Sequence, residues 1–296
     1  MADFWRFENR TIIESMLVMR TALSVGSRAS FLPAGTDLPV IKTPEGIPYI
    51  PGSSLKGVVR SYVERLLRTI DALGRKHQGQ RLWACDPLNE QDRCVIATCG
   101  PSCEQCEDCR GNCCTNCSRC KRCITNRVTE NGRISDQRLA HELWAQSCTV
   151  CRLFGSPWLA SRVAFQDAHL VNAEAMLHLT EVRDGVGIDR DLGAAKTGIK
   201  YDFETVPAGA RFGITIVVEN AERWEIGLLL LALEAMDRAA LPVGGKSTRG
   251  LGWGTLEDVR IKRIEAQHLL DWLAGTYTPA PLNAQELIAE LTAVLQ

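Results

Sequence analysis

The sequence has no excess of either charge. Its 296 residues carry 34 Lys and Arg against 35 Asp and Glu. That balance argues against a polyanion binder that uses its whole surface, but it leaves room for a local basic patch. The chain also lacks a basic stretch followed by an apolar run at its start, so no secretory leader is expected. Its longest apolar run, around Ile226 to Ala235, is too short and too interrupted to span a bilayer. A cytoplasmic protein with no membrane partner is the expectation. Beyond Arg263 there is no Lys or Arg, while Glu265, Asp271, Glu286 and Glu290 remain. The cations therefore sit in the body of the chain. Lys56, Arg60, Arg65, Arg68, Arg75 and Lys76 form one run, and Lys246, Arg249, Arg260, Lys262 and Arg263 another.

Cysteine, by contrast, is abundant, with 13 in the chain. Nine fall between positions 99 and 123, mostly two residues apart: Cys99, Cys103, Cys106, Cys109, Cys113, Cys114, Cys117, Cys120 and Cys123. Without an export signal, such spacing points to metal rather than disulfides. Residues 77–136 have little apolar periodicity, and their polar loops cannot build a core. Metal must supply their folding energy. The nine cysteines could fill two four-thiolate sites with one left over. Residues 103–113 also match a bacterial ferredoxin run, so an iron–sulfur cluster is an alternative there. The residue after that run is Cys114 rather than Pro, and no second run follows, which favours zinc. Thiolate-only ligation implies a structural role in either case.

Residues 16–25 read as a first strand, and 26–51 as a Gly- and Pro-rich loop. In 54–70 the apolar residues Leu55, Val58, Val59, Tyr62, Val63, Leu66, Leu67 and Ile70 follow helical spacing. Further strands are expected around 161–171, 210–219 and 253–263, with helices over 137–147 and 223–239. Residues 180–206 are Gly-rich and charged and read as a projecting hairpin or loop, and Asn283 can cap a final helix. Setting the insertion and hairpin aside, the order is strand, helix, strand, strand, helix, strand. That is the order of an α+β, ferredoxin-like fold.

Two stretches offer anion-binding chemistry. In AALPVGGKSTRGLGWG, the letters around Gly245-Lys246-Ser247 fit a relaxed nucleotide-binding P-loop. A P-loop needs a strand before it and a helix after it, and the expected order here is the reverse. What remains is a glycine loop in which Gly244 and Gly245 admit close backbone approach. Lys246 and Arg249 add charge, and Ser247 and Thr248 add hydroxyls. The plainer alternative is a helix-to-strand turn with solvated charges. In PYIPGSSLKGVVR, Ser53 and Ser54 open the helix, with Lys56 in its first turn and Arg60 one turn on. That is either a phosphate site or a simple serine cap.

The motifs GTDLPVIKTPEGIPYIPGSSLKGVVRS, Cys148-x-x-Cys151 with the following Arg-Leu-Phe-Gly, GVGIDRDLGAAKTGIKYDFETVPAGARF and GGKSTRGLGWG occur in that order. Together they resemble the backbone RAMP subunits of type III CRISPR effector complexes over most of residues 12–263. The similarity is greatest to the subunit that polymerises along the guide RNA and cuts target RNA. The resemblance implies an RRM-like palm over 1–76 and 137–264, with a thumb hairpin at about 172–206 that wedges into the guide–target duplex. Residues 77–136 would be a zinc-binding insertion, and 265–296 a C-terminal helical extension. The GSSLKG helix start and the glycine loop would grip the guide RNA backbone.

The family's catalytic aspartate maps onto Asp37, which would act with Mg2+ or Mn2+ in an RNA-guided endoribonuclease. A loop carboxylate can take a proton from the ribose 2′-hydroxyl or hold a divalent cation. Glu45 is the other carboxylate in that loop, and Asp37 could equally be a turn residue before Pro39. A non-cutting backbone subunit is the alternative function. Cys148 and Cys151 resemble half of the family's zinc site, with Cys85 and Cys94 favoured as partners and His77 as a substitute ligand. The implied partners are guide RNA, target RNA, other effector subunits and head-to-tail copies of the chain. Lys42-Thr43 stands where the family commonly has Arg-Asp, and the cysteine insertion is unusually large. Both suggest a divergent subtype such as III-D.

Overall fold

The computed structural model describes residues 6–26, 36–98, 117–130, 132–238 and 240–295. In chain order the elements are β1 (Asn9–Met19), β2 (Tyr49–Ile50), α1 (Gly52–Ala72), β3 (Lys76–His77), β4 (Gln80–Arg81), α2 (Lys121–Arg127), β5 (Thr129–Glu130) and β6 (Arg133–Ile134). Then come α3 (Asp136–Gln146), α4 (Thr149–Phe154), β7 (Val163–Phe165), β8 (Ala168–His169), β9 (Glu181–Ile188) and β10 (Ala195–Thr205). The chain ends with β11 (Arg211–Glu219), α5 (Arg223–Asp237), β12 (Gly254–Glu265), α6 (Leu269–Leu273) and α7 (Ala284–Val294). The fold is mixed α and β with antiparallel pairing. No helix among the described residues is long and apolar enough to cross a membrane.

The chain divides into two compact units. The first comprises Met1–Tyr62 and Ala164–Ala289, the second Val63–Val163 and Glu290–Gln296. The first is built on a four-stranded sheet in the order β12-β1-β11-β7. Strand β1 is central and antiparallel to both neighbours, with Ile13 opposite Ile216 on one side and Ile261 on the other. Alternate residues of β11 (Phe212, Ile214, Ile216, Val218) are buried, as a strand's two-residue period requires. Helix α5 is apolar on nearly all sides and packs against β12. Its start is closed by a capping box in which Glu222 and Glu225 satisfy each other's backbone amides.

Strand β1 begins at Asn9 and ends at Met19, earlier than the stretch 16–25 expected from the sequence. The reason is that polar residues occupy inward positions and find partners there. The Asn9 amide oxygen accepts the Ala221 N–H, the Ser15 hydroxyl donates to the Glu257 carbonyl, and Thr11 Oγ1 accepts from Arg263. Helix α1 extends two residues beyond both ends of the expected 54–70, and buries Leu55, Val59, Val63, Leu67 and Ile70 along one stripe. Strands β9 and β10 form the antiparallel hairpin expected over 180–206. Asn283 caps α7 through a bond from the Gln285 N–H. Short helix α6 was not anticipated.

The second unit has its own apolar centre, including Leu82, Val95, Ile124, Val128, Leu143, Val150, Leu153 and Phe154. Arg152 and Arg162 both lie over the Trp144 ring, and Arg162 Nε donates to the Arg152 carbonyl. In the first unit, Phe212 is fully buried at the heart of the sheet. Phe212→Ala should cost about 3–5 kcal/mol, read as a shift in the denaturant midpoint at unchanged slope.

Candidate functional site

Four thiols converge in the second unit. Cys85 and Cys94 lie in the loop after β4, Cys148 immediately precedes α4, and Cys151 lies within it. All four are buried, and their sulfurs lie within 4.8 Å of one another. Cys85 Sγ is 3.6 Å from both Cys151 Sγ and Cys148 Sγ. A disulfide would need about 2.05 Å. A tetrahedral centre with metal–sulfur bonds of about 2.3 Å spaces its sulfurs roughly 3.8 Å apart, and the observed spacing is near that.

The local fold sets this geometry. Cys148 is the N-cap of α4, and its sulfur accepts the Cys151 N–H at 3.4 Å. Trp83 and Thr149 exchange two hydrogen bonds, which ties the Cys85 segment to the start of that helix. Arg68 donates to the Cys85 carbonyl, and the Trp158 indole N–H to the Val95 carbonyl. The Cys85 thiol is pulled down to about 7, first by its bond with Cys148 and then by that with Cys151. Cys94 is lowered further by Cys148, Cys151 and Cys85, whereas Cys151 is raised, chiefly by Cys148. Several bare thiolates cannot be buried together without a cation. A divalent metal such as zinc would supply that cation in a closed structural site, and these four side chains could hold it.

His77 is buried in β3, outside the four-sulfur group. Cys117, Cys120 and Cys123 are buried around the start of α2 and also lie outside it. Cys99, Cys103, Cys106, Cys109, Cys113 and Cys114, and with them the alternative iron–sulfur run, fall outside the described residues.

In the first unit the glycine loop follows α5 and precedes β12, the reverse of a P-loop. Gly244, Gly250 and Gly252 all have positive φ. A Cβ on Gly252 would sit 2.1 Å from the Val243 carbonyl oxygen, and one on Gly244 2.5 Å from that of Ser24. Glycine is required at both. Lys246 itself is left-handed at φ 60°, an uncommon conformation for a side-chain-bearing residue, and it opens a short turn over Ser247–Arg249. Several amides of the loop are bound internally. Gly245 N–H goes to the Ser24 carbonyl and Gly252 N–H to that of Ala22, while Arg249 and Gly250 close the turn. Those four amides are therefore already engaged. Lys246 Nζ lies 4.5 Å from the Phe203 ring centroid, and Arg249 contacts the Tyr201 hydroxyl.

At the start of α1 the Gly52 N–H donates to the Asp167 carboxylate at 2.7 Å. A built-in anion thus occupies that amide. Ser53 is exposed, Ser54 half-buried, and Lys56 and Arg60 half-buried one turn apart. Burial, then the neighbouring Arg60, pulls the Lys56 ammonium below its ordinary range. An added anion beside the two would relieve that repulsion.

Asp37 is exposed in the loop before α1. Its N–H donates to Asp202 Oδ1 at 2.7 Å, and its own Oδ2 accepts the Asp202 N–H at 3.1 Å. Leu38 forms a parallel bridge with Phe203, and its carbonyl accepts the Glu204 N–H at 3.0 Å. Glu204 in turn accepts from the Val40 N–H and from Lys42 Nζ. Sequence reasoning singled out Asp37 but missed Asp202, which is remote in the chain. The one signal was its position within the quoted KYDFET stretch.

An antiparallel α+β unit with a helix–glycine loop–strand crossing, in a chain that also carries a four-cysteine group in its second unit, is the class that these features define. The sequence matches the RAMP superfamily over residues 17–257, and the chain belongs to that superfamily. Over 61 residues it is 44% identical to the protein named CRISPR system Cms endoribonuclease Csm3 from Methanothermobacter thermautotrophicus. That match takes in 20% of this chain and 25% of the relative's length.

Removing one thiol tests the metal centre. Cys148→Ala should lower the metal content of the purified protein and its melting temperature together, since a structural zinc supplies on the order of 10 kcal/mol. Elemental analysis paired with thermal melts checks this, and unchanged metal content would refute the assignment.

Proposed function

We propose that this chain is a subunit of a type III CRISPR effector complex that holds guide RNA along its backbone and cleaves complementary target RNA. The observation that carries the cutting role is Asp37, an exposed carboxylate fixed from both ends against β10. The partial likeness to a protein named as an endoribonuclease supports the same reading. In this proposal the first unit is a ferredoxin-like palm. Supporting that are the antiparallel order β12-β1-β11-β7 and the placement of α1 and α5 between strands in the chain. Hairpin β9–β10 is its thumb, with Val182, Val186, Ile188, Leu192 and Ile199 exposed. Residues 77–136 are the zinc-binding insertion, 265–296 the C-terminal extension, and III-D the subtype.

Guide phosphates would meet Lys246, Ser247, Thr248 and Arg249 at the glycine loop, and Ser53, Ser54, Lys56 and Arg60 at α1. Cleavage by the ribose 2′-hydroxyl forms its bond to the adjacent phosphorus as the 5′-oxygen leaves, so the hydroxyl proton needs an acceptor. The Asp37 carboxylate can take it directly. It also supplies one hard oxygen ligand of the kind Mg2+ or Mn2+ uses alongside substrate phosphate oxygens, a cation that would offset the developing charge. Cytoplasmic guide RNA, target RNA, other effector subunits and further copies of the chain are the proposed partners.

In the assembled complex, Asp37→Ala should leave target binding intact and slow cleavage by about 10²-fold or more. Normal cutting by that variant would leave the backbone role alone standing. Lys246→Met should weaken binding about equally for all guide sequences and reduce the salt slope by about 1. Filter-binding titrations across salt concentrations read both effects.

A further inference from the structure

We infer that Asp202 is the positioning residue for Asp37, orienting its carboxylate for RNA cleavage. This inference rests on the cutting role proposed above and extends it to a second, remote carboxylate. Asp37 and Asp202 clasp each other: each donates its backbone N–H to the other's carboxylate, at 2.7 and 3.1 Å. An exposed aspartate on a loop ordinarily samples several rotamers. Here one oxygen is held by a main-chain N–H of β10, and the residue's own amide is held by the Asp202 side chain. The carboxylate and the backbone that carries it are both held by one partner.

The rest of the loop does not depend on that clasp. Leu38 is bound to β10 through the Glu204 N–H, while Val40 and Lys42 are bound to the Glu204 carboxylate. Leu38 packs on the cluster of Ala22, Phe203 and Leu251. Removing the Asp202 carboxylate should therefore loosen Asp37 while the loop stays docked. Asp202 also contributes a backbone N–H that no side-chain substitution removes, so the loss should be partial. Asn keeps an acceptor oxygen at the same place without the charge, as it does at helix caps. The clasp thus predicts that Asn substitutes and Ala does not.

The experiment uses the assembled complex with guide RNA. Single-turnover cleavage should fall about 10- to 100-fold in Asp202→Ala, the scale expected for a misplaced reactive group. Target RNA affinity should be unchanged, and Asp202→Asn should recover most of the rate. Asp202→Val, which has no acceptor and suits a strand, stands in if the Ala variant does not assemble. Amide exchange on the same complexes should show faster exchange at Asp37 in Asp202→Ala but not at Val40. Wild-type cleavage in Asp202→Ala overturns the inference. An Asn variant as slow as Ala also overturns it, because the charge rather than the hydrogen bond would then matter. The Asp37→Ala complex is the separate control. If it cuts normally, the cutting role has failed, and the exchange rates alone decide whether Asp202 holds Asp37. If it does not cut, the Asp202 variants decide the inference by themselves.

Discussion

Four consecutive residues of β10, Tyr201 to Glu204, hold the first unit's candidate site together. A strand sends successive side chains to opposite faces. Tyr201 and Phe203 meet Arg249 and Lys246 of the glycine loop, whereas Asp202 and Glu204 fasten residues 37–42. A shift of one residue would exchange the two sets and undo both attachments. The register is set against β9, where Tyr201 pairs with Gly185. A Cβ on Gly185 would stand 2.3 Å from the Tyr201 ring, so glycine there lets the ring lie across the neighbouring strand. The glycine loop adds its own constraint, since Gly244 and Gly252 press on the Ser24 and Val243 carbonyls.

The second unit rests on a different interaction. It has its own apolar core, but the loop from β4 to Cys94 contains almost no regular structure. Buried sulfur spacing near that of a tetrahedral metal centre gives this loop a fixed point. The hydrogen bonds from Arg68, Trp83 and Trp158 then orient the backbone around it. The Cys148 sulfur does two jobs, as candidate ligand and as helix cap.

The legible parts of the sequence were those governed by local rules. The α1 stripe, the alternation of β11 and the reversed order around the glycine loop all follow from short-range periodicity, and the hairpin-or-loop reading of 180–206 from its glycine and charge content. Cys148-x-x-Cys151 was legible for the same reason, because the helix turn itself brings the second amide to the first sulfur. The start of β1 was hidden because Asn9, Thr11 and Ser15 face inward, and their bonding partners belong to distant strands. Asp202 was hidden because its meaning comes from Asp37, 165 positions away. No propensity or spacing encodes such a pair; only the docking of residues 37–40 along β10 creates it. Asp167 was hidden likewise, as the residue that occupies the first amide of α1.

Asp167 and the glycine loop bear on how a polyanion would bind. Free amides at a helix start or in a glycine nest make a ready anion site. Here the Gly52 amide already faces a carboxylate, and the Gly245 and Gly252 amides already face carbonyls. Recognition of a phosphate chain would then fall on charged side chains, whose contribution depends strongly on salt. Those side chains sit in a chain with no net positive field to draw RNA in from a distance. Local pairs such as Lys56 with Arg60, mutually repulsive and partly desolvated, become the natural places for attraction. A polyanion bound there would be gripped by a few local cations rather than by overall charge.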